Sequence, residues 1–430
     1  MDSVEGVVNG GLCTGCGTCA GVCPADAISM HVLDGLFLPV VDENRCNMCG
    51  LCVKCCPGYS MDFEALNSVI FGEQPENVLI GNYLECYVGH SRDFNTRFAS
   101  SSGGIVTQLL IFALEKGIID GAIVTRMDEK NPFQPKSFVA RTKGEIISAS
   151  RSKYCPTSVN ERLKCVLEED GRFAVVGLPC QIHGTRKAEI NVKGLSEKIV
   201  LHIGLICSHT VDFCGTEHLL RKLGIPINKV AEIAYRGHGW PGKMTIRLTD
   251  GSELSIPYTR KFNAYWPVFS CFYYTPRRCL MCPDLTNELA DISVGDAWLP
   301  EFRNDKVGRS IVISRTKLGE NLLNTALIDD VISLEPINVD AVLKSQRDSL
   351  KFKKIDFAVR LCIMKSLGAK TPFFSLSKPF SSSFLSFIRN LFVVTNVKTC
   401  ENELFRNALL GVPFPLFRLY SGVYRFLCLF

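Results

Sequence analysis

The 430-residue chain lacks any run of 18 consecutive apolar residues, which argues against a bilayer-spanning helix. Its first residues, MDSVEGVVNGG, lack the basic region and the apolar run of a secretory signal peptide. We therefore expect a cytoplasmic protein, in which thiols remain reduced and available for metal. No concentrated stripe of lysine and arginine occurs either, so nucleic acid is not an expected partner.

Two further absences limit the functions that the protein can have. No GxGxxG fingerprint follows a strand, which weakens a Rossmann-type nicotinamide site without excluding a nicotinamide substrate. Acidic excess is confined to the start of the chain. Residues 1–60 carry six acidic and two basic side chains, although the whole chain has a formal net charge of +5. An acidic head on a basic body is ordinary for electron-transfer proteins.

Cysteine, in contrast, is abundant, with 21 residues, and two runs share the spacing CxxCxxCxxxCP. This repeat is the bacterial-type ferredoxin signature for two [4Fe-4S] clusters, in which the fourth cysteine of each run binds the other cluster. Zinc sites and disulfide scaffolds do not normally show this doubled, proline-closed spacing. Cys55 is left over. The predicted ligands are Cys13, Cys16, Cys19 and Cys56 for the first cluster and Cys46, Cys49, Cys52 and Cys23 for the second.

Strand-like and helical patterns alternate after residue 95, which predicts an α/β (α+β) body behind the small ferredoxin domain. Strand-like runs cover residues 122–126, 173–178 and 198–206, and helical patterns cover 160–170 and 214–224. We predict four segments: a two-cluster ferredoxin domain 1–60, a connector 61–95, a catalytic domain 96–335, and a helical, aromatic and basic extension 336–430.

The extension is unusual in composition. Residues 371–430 hold 13 Phe or Tyr, with six basic and two acidic side chains. Such a segment packs on the protein's own core or on a partner, and the alternative is peripheral contact with a membrane surface. Composition favours the first interpretation.

A second cysteine set lies in the body. Two strand-like runs end in GLPC at Cys180 and in GLIC at Cys207, and CLMC follows at Cys279 and Cys282. Because ligands gather at the carboxyl ends of strands in an α/β sheet, the first two thiols are expected at one crevice. A cluster, a zinc ion and simple burial of the cysteines all fit this spacing. The two clusters of the head favour a third one here.

Several motifs follow one another along the chain: the double cysteine run, SSSGG at 100–104, SRSKYCPTS at 150–158, VGLPCQIHG at 176–184, GLIC at 204–207, YRGHGWPG at 235–242 and CLMCPDLTNELADISVGDAW at 279–298. In this order they resemble the family of coenzyme F420 hydrogenase/dehydrogenase beta subunits. The resemblance covers about residues 10–315 and implies FAD beside one body [4Fe-4S] cluster on Cys180, Cys207, Cys279 and Cys282. Some similar proteins act on other substrates, and the aromatic tail lies outside the pattern.

The resemblance also implies positions for FAD. Ser101, Ser102, Gly103 and Gly104 precede a helical pattern, and a helix N-terminus suits a pyrophosphate. Lys153 is a candidate charge near the flavin or a substrate phosphate, and a solvated lysine is the alternative. The loop Arg236, Gly237, His238 and Gly239 is a candidate cover for the flavin ring, although His238 is equally a turn residue.

We therefore expect an oxidoreductase that exchanges a hydride with coenzyme F420, or a similar anionic carrier, and passes single electrons through clusters to an acceptor protein or redox complex. The basic body, including Arg277, Arg278 and Lys153, suits an anionic substrate. The alternatives are an electron-relay adaptor without a flavin and a related FAD and iron-sulfur reductase with another substrate.

Overall fold

The computed structural model describes residues 3–258, 265–375 and 383–429; residues 376–382 and 430 of the predicted extension lie outside the described residues. The strands are β1 (Ile28–Leu33), β2 (Leu36–Val41), β3 (Ser60–Asp62), β4 (Glu85–Ser91), β5 (Gly121–Met127), β6 (Pro135–Ala140), β7 (Phe173–Gly177), β8 (Ile199–Leu205), β9 (Val230–Ala234), β10 (Lys243–Leu248), β11 (Glu253–Pro257), β12 (Ile292–Asp296), β13 (Ser310–Ser314), β14 (Ile332–Pro336) and β15 (Phe373–Ser375).

The helices alternate with these strands through the body and follow one another in the extension. They are α1 (Val4–Asn9), α2 (Thr18–Gly21), α3 (Leu51–Lys54), α4 (Phe63–Phe71), α5 (Phe94–Ala99), α6 (Ile105–Glu115), α7 (Lys143–Ser148), α8 (Leu163–Glu168), α9 (Pro179–Asn191), α10 (Leu195–Lys198), α11 (Phe213–Lys222), α12 (Tyr265–Ser270), α13 (Arg277–Leu280), α14 (Lys317–Ile328), α15 (Val339–Ser345), α16 (Arg347–Leu350), α17 (Phe357–Ser366), α18 (Phe384–Cys400), α19 (Glu403–Gly411) and α20 (Phe414–Leu429). A π-helical turn, Lys351–Ile355, joins α16 to α17.

An eight-stranded sheet with the order β14-β4-β13-β12-β8-β7-β5-β6 forms the centre of the body, which confirms the predicted α/β class. Its middle strands β5, β7, β8 and β12 run parallel, so their carboxyl ends meet at one edge. Their sequences are rich in branched apolar residues, as expected for strands covered on both faces. The residues that follow β7, β8 and β12 are therefore brought together at one edge of the sheet.

Helix α6 shows how the sequence pattern determines packing. Ile105, Leu109, Phe112 and Ala113, which the helical period places on one face, are all buried in the core against the sheet. The helix begins at Gly104, whose φ of 76° is left-handed and suits glycine. The amino end of α6 lies near the strand ends, because Gly104 lines the same cavity as Gly177 and Leu205.

Strand β4 belongs to the segment 61–95 that the sequence suggests is a connector. It pairs with β13 on one side and β14 on the other, so it lies inside the large sheet rather than between domains. The connector is therefore partly occupied by a strand of the body.

The N-terminal head is attached to the body by specific hydrogen bonds. The Asn160 backbone N–H donates to Cys16 O at 2.9 Å, and its side-chain amide donates to Thr18 Oγ1 at 2.9 Å. From α9, Lys187 Nζ donates to Cys56 O at 2.8 Å. These bonds hold both cysteine runs in a fixed position against the body.

The extension packs partly on the body, as the composition favours. Val393, Val394 and Val397 of α18 are buried in a core shared with the α13 region, and Arg389 forms a buried ion pair with Asp356 at 2.9 Å. Other side chains of α18 to α20 are exposed. Among the described residues, none of the helices has the length and hydropathy that crossing a membrane would require.

Candidate redox site

The two cysteine runs of the head adopt the same local conformation. In the first, Gly15 and Gly17 have left-handed φ values of 68° and 83°; at the equivalent places in the second, Met48 and Gly50 have 54° and 71°. The left-handed residues curl each run so that successive cysteines turn toward a common centre. A repeat in the sequence is thus a repeat in backbone geometry.

The predicted first-cluster ligands lie together. The pKa of Cys13 is raised to about 12, mainly by burial, and the neighbouring Cys56 and Cys16 thiols act in the same direction. Burial also raises the pKa of Cys19 well above its usual value, with Cys16, Cys13 and Cys56 adding to the effect. Such a group of buried thiols is unfavourable for ionised sulfur unless iron compensates for the charge.

The predicted second-cluster ligands lie at the opposite, outer end of the head. Cys46 and Cys49 are exposed, while Cys23 and Cys52 are half-buried. Burial raises the pKa of Cys52, and Cys49 and Cys23 contribute in the same direction, which places these thiols together. The head therefore has one cysteine set that faces the body and one that faces solvent.

The body thiols converge on one small cavity of about 60 Å³. Cys180 lies in the first turn of α9, Cys207 follows β8, and Cys279 and Cys282 lie in and after α13. All four line the cavity, together with Cys13 of the head. The predicted meeting of the Cys180 and Cys207 strand ends is therefore present, and the CLMC pair is brought to the same place.

Four converging cysteine thiols are the donor set of a [4Fe-4S] cluster and equally of a structural zinc ion. Within the described ranges, no group of three His, Cys, Asp or Glu side chains is arranged to hold a single metal ion. The third cluster on Cys180, Cys207, Cys279 and Cys282 stays a prediction.

The body thiols are close to the inner thiols of the head. Burial raises the pKa of Cys180 well above its usual value, and among the neighbouring thiols that raise it further, Cys16 of the head precedes Cys207, Cys282 and Cys279 in effect. The first cysteine set of the head and the body set therefore lie side by side, with the outer set beyond them.

A larger cavity of about 400 Å³ lies next to the body thiols. Its size is within the range of ordinary cofactor pockets. Ser101, Ser102 and Gly104 line it at the amino end of α6, and Lys153 and Arg236 line it as well. Gly103, Gly237 and Gly239 do not line it. Cys207 lines both this cavity and the thiol cavity, so the two share a wall.

The serine hydroxyls at the start of α6 are already used within the protein. Ser101 Oγ accepts from the Ser152 N–H at 2.8 Å, and Ser102 Oγ donates to Arg309 O at 2.8 Å. Gly103 packs so closely that an added Cβ would stand 2.5 Å from Gly89 O. Gly104 begins α6 without a side-chain cap, so the backbone N–H groups of its first turn are the donors that remain for a ligand.

Lys153 is also occupied. Its Nζ donates to three backbone carbonyls around the end of α7, those of Ala149, Ser150 and Arg151. Burial lowers its pKa to about 7. Lys153 therefore closes the end of a helix at the cavity wall, and a role toward a phosphate would require it to leave these carbonyls.

Arg236 is a fixed wall of the cavity. Its guanidinium donates to both Asp296 carboxylate oxygens, at 2.7 and 2.9 Å, and lies over the rings of Tyr258 and Trp298. Gly237 and Gly239 of the loop that follows pack against other parts of the body instead of lining the cavity. An added Cβ would stand 3.1 Å from Arg151 Cδ at Gly237 and 2.6 Å from Lys306 O at Gly239.

Several residues that line the larger cavity carry no separate signal in the sequence. Asp296 and Trp298 occur in one of the motifs that carry the family resemblance, VGDAW, but nothing in that motif marks them individually. Tyr258 and Gln346 are distant in sequence and reach the cavity only through the fold. His209 lines both cavities, stacked on Phe269 with ring centres 4.0 Å apart, and burial lowers its pKa to about 3.

Comparison with known families agrees with this geometry. Residues 170–340 match the family model for the C terminus of the coenzyme F420 hydrogenase/dehydrogenase beta subunit, and residues 86–164 match the model for the N-terminal part of the same protein. The chain belongs to this family. Residues 12–58, in addition, match the 4Fe-4S dicluster domain. The family region starts at β4, inside the predicted connector, and includes the four body thiols.

Members of the family are similar over most of the chain. Coenzyme F420 hydrogenase subunit beta of Methanosarcina barkeri is 28% identical over 69% of the chain and 99% of its own length. The F subunit of the F(420)H(2) dehydrogenase of Methanosarcina mazei is 28% identical over 73% of the chain and 82% of its own length. Coenzyme F420-dependent sulfite reductase of Methanocaldococcus jannaschii is 29% identical over 81% of the chain but only 50% of its own length.

A solved structure supports the family fold. A chain of the F420-reducing [NiFe] hydrogenase complex from Methanosarcina barkeri, determined with xenon, superposes with a TM-score of 0.54 at 25% identity. The match covers 69% of this chain and 98% of that chain. The protein is thus an oxidoreductase-family member with an iron-sulfur head, as the motifs indicated.

Proposed function

We propose that the protein is an iron-sulfur flavoprotein oxidoreductase that exchanges a hydride with coenzyme F420 and transfers single electrons through three [4Fe-4S] clusters. The observation that carries this proposal is the position of Cys207 in the wall between the two cavities. A cofactor in the larger cavity would lie directly beside the body thiols. Short separation between redox groups is what electron transfer requires of a protein scaffold.

The thiol sets form a path. From the larger cavity it passes through the set Cys180, Cys207, Cys279 and Cys282 to the inner set of the head and then to the exposed Cys46 and Cys49. An electron-accepting protein or redox complex would dock at that outer end. The named relatives are subunits of hydrogenase and dehydrogenase assemblies, which supports such a partner.

The residues of the larger cavity fit FAD. When bound, FAD exchanges hydride with a two-electron carrier and single electrons with a cluster. The uncapped first turn of α6 would hold the anionic pyrophosphate, because N–H groups and the helix dipole converge there. Arg236 and Asp296 form a neutralised pair in the wall, and the apolar residues Ile105, Leu110 and Val124 exclude water from the interior.

Coenzyme F420 is the proposed hydride carrier because the relatives named for it share this region. The two arginines that the sequence suggests for its recognition are engaged elsewhere. Arg277 pairs with Glu401, and Arg278 donates to Pro57 O at 3.0 Å and Met281 O at 2.8 Å. General positive charge of the body, rather than these residues, would attract the anionic carrier.

We expect the anaerobically purified and reconstituted protein to show flavin absorbance beside the iron-sulfur bands and to reduce a viologen dye with reduced F420. NADH and NADPH should support less than about one tenth of that rate, since no Rossmann fingerprint supplies their site. The measurement is the initial rate of dye reduction with each donor under the same conditions.

Two outcomes would contradict this proposal in different ways. Clusters without a flavin after careful reconstitution would identify an electron-relay adaptor. Flavin and clusters with no response to F420, but a response to a nicotinamide or to neither, would identify a related reductase with another substrate.

The exposed apolar side chains of the extension support a peripheral membrane contact. Phe384, Phe387, Leu404 and Leu419 are 77%, 46%, 80% and 69% exposed, and the segment carries excess basic charge. Helices that expose apolar side chains and carry basic charge bind the headgroup region of anionic bilayers.

We expect the protein to float with vesicles that contain anionic phospholipid, and the variant Leu404→Glu/Leu419→Glu to lose about tenfold or more of that binding. Ile328→Glu is the control, because Ile328 is 81% exposed but lies on α14. If the wild type does not float, or if Ile328→Glu loses as much vesicle binding as the double variant, the membrane contact is wrong and the exposed side chains would instead bind a protein partner.

A further inference from the structure

Two consecutive lysines lie buried in the π-helical turn Lys351–Ile355, which follows α16 in the extension. Lys353 is 2% exposed and Lys354 is 8% exposed. Charged side chains are almost never buried without a partner, and isolated π-helical turns often occur at functional sites. Lys354 has such a partner, because it forms an ion pair with the buried carboxylate of Glu288.

Lys353 has no comparable partner within the protein. In the ranges that the structure describes, no hydrogen bond or ion pair joins its Nζ to another group, and its contact with a ring is a distant one, 5.9 Å from the centre of Phe352. Two other cations of this region, half-buried Lys187 and buried Arg278, do have partners. Lys187 and Arg278 donate to backbone carbonyls of the segment 56–60 and so attach the head to the body.

The side chain of Lys353 instead faces the body thiols. It lines the small cavity with Cys180, Cys207, Cys279 and Cys282. Burial raises the pKa of Cys207 to about 12, whereas the Lys353 ammonium acts to lower it. Lys353 acts on the pKa of Cys279 in the same direction. The Lys353 ammonium therefore acts on Cys207, which follows β8 at the edge of the sheet, and on Cys279, the first cysteine of CLMC.

A cluster held by four thiolates is anionic, and it becomes more negative by one charge when it accepts an electron. A nearby cation stabilises the reduced form more than the oxidised form, and burial limits screening by water and salt. Net charge around a cluster is one of the main determinants of its reduction potential.

We propose that the charge of Lys353 raises the reduction potential of the body cluster and so favours electron entry into it. This inference rests on the proposed assignment of that cluster to Cys180, Cys207, Cys279 and Cys282. Lys353 lies beyond residue 340, where the match to the family model ends. A segment outside the family region thus contributes to the redox chemistry of the family site.

The test is a redox titration of the full-length, reconstituted protein, followed by electron paramagnetic resonance. In Lys353→Met, the signal that is missing from the Cys279→Ser/Cys282→Ser variant should shift to lower potential. The shift should correspond to a loss on the order of tenfold in the equilibrium constant for reduction. Lys353→Arg should retain the wild-type potential. Lys365→Met, on the exposed side of α17, is the matched control.

An unchanged potential in Lys353→Met, or an equal shift of all clusters, would overturn the proposal. If Lys353→Met does not fold, Lys353→Gln replaces it. A lower reduction potential in Lys353→Gln but not in Lys353→Arg supports the inference, and equal potentials in these two variants overturn it. Failure of the underlying cluster assignment is distinguishable, because the wild type would then contain only about eight iron atoms.

Discussion

Replacement of both Cys279 and Cys282 by serine is expected to lower the iron content from about twelve atoms per chain to about eight, because one of three cubes loses two of its ligands. The remaining thiols of that set, Cys180 in the first turn of α9 and Cys207 just after β8, are only two of the four ligands that the cube needs. The head should retain its own iron. Iron and zinc analysis of the anaerobically reconstituted variant, with acid-labile sulfide, gives the measurement.

The control for this experiment is Cys362→Ser, since Cys362 is exposed on α17 and lies outside the thiol sets. It should retain all the iron. A double variant that keeps its iron but loses zinc would show that the body site holds zinc. A variant that loses all iron would show that the head depends on the body for assembly.

Gly21→Ala is expected to loosen the head from the body. A Cβ at this position would stand 1.9 Å from Asn160 O, which is backbone and cannot move aside as a flexible side chain would. Asn160 also donates its backbone N–H to Cys16 O. If Asn160 moves to relieve the clash, this hydrogen bond lengthens, and the bond is one that aligns the inner thiol set of the head with the body set. Overpacking of this kind costs about 1–3 kcal/mol.

The expected results are a lower unfolding temperature, faster hydrogen exchange of the Asn160 amide, and slower electron transfer from the body to the head. Gly144→Ala is the matched control, because nothing lies within 4 Å of its added Cβ and it occurs inside α7. Helical Gly→Ala changes of that type are neutral or stabilising by about 0.5–1 kcal/mol. Exchange and transfer rates equal to those of the wild type would contradict the role given to this contact.

The parts of the molecule that the sequence predicts are those governed by local spacing. The cysteine runs predict the head because ligand spacing is a short-range requirement. The GLPC and GLIC endings predict a shared crevice because parallel strands align their carboxyl ends. In the structure, Gly177 of β7 is paired with Gly204 of β8, which brings the two endings side by side. The apolar period of α6 likewise predicts its buried face.

The partners of individual polar side chains were not predictable in the same way. Lys153 and Arg236 carry suitable charge, but their donors are taken by backbone carbonyls and by Asp296, which only the folded chain brings near. Strand β4 lies in a segment of weak pattern and is identified by its neighbours in the sheet. Lys353 gives no signal in sequence, because its importance depends on a turn that directs it inward.

The repeated loops of the head have unequal surroundings. At Gly15, an added Cβ would stand 3.0 Å from Phe37 O, whereas Met48 at the equivalent position has a side chain that is 89% exposed. The inner loop thus admits almost no substitution, while the outer loop accepts a large side chain. Mutational tolerance should therefore differ sharply between two segments of identical ligand spacing, and the outer loop is where binding specificity can diversify without disturbing assembly.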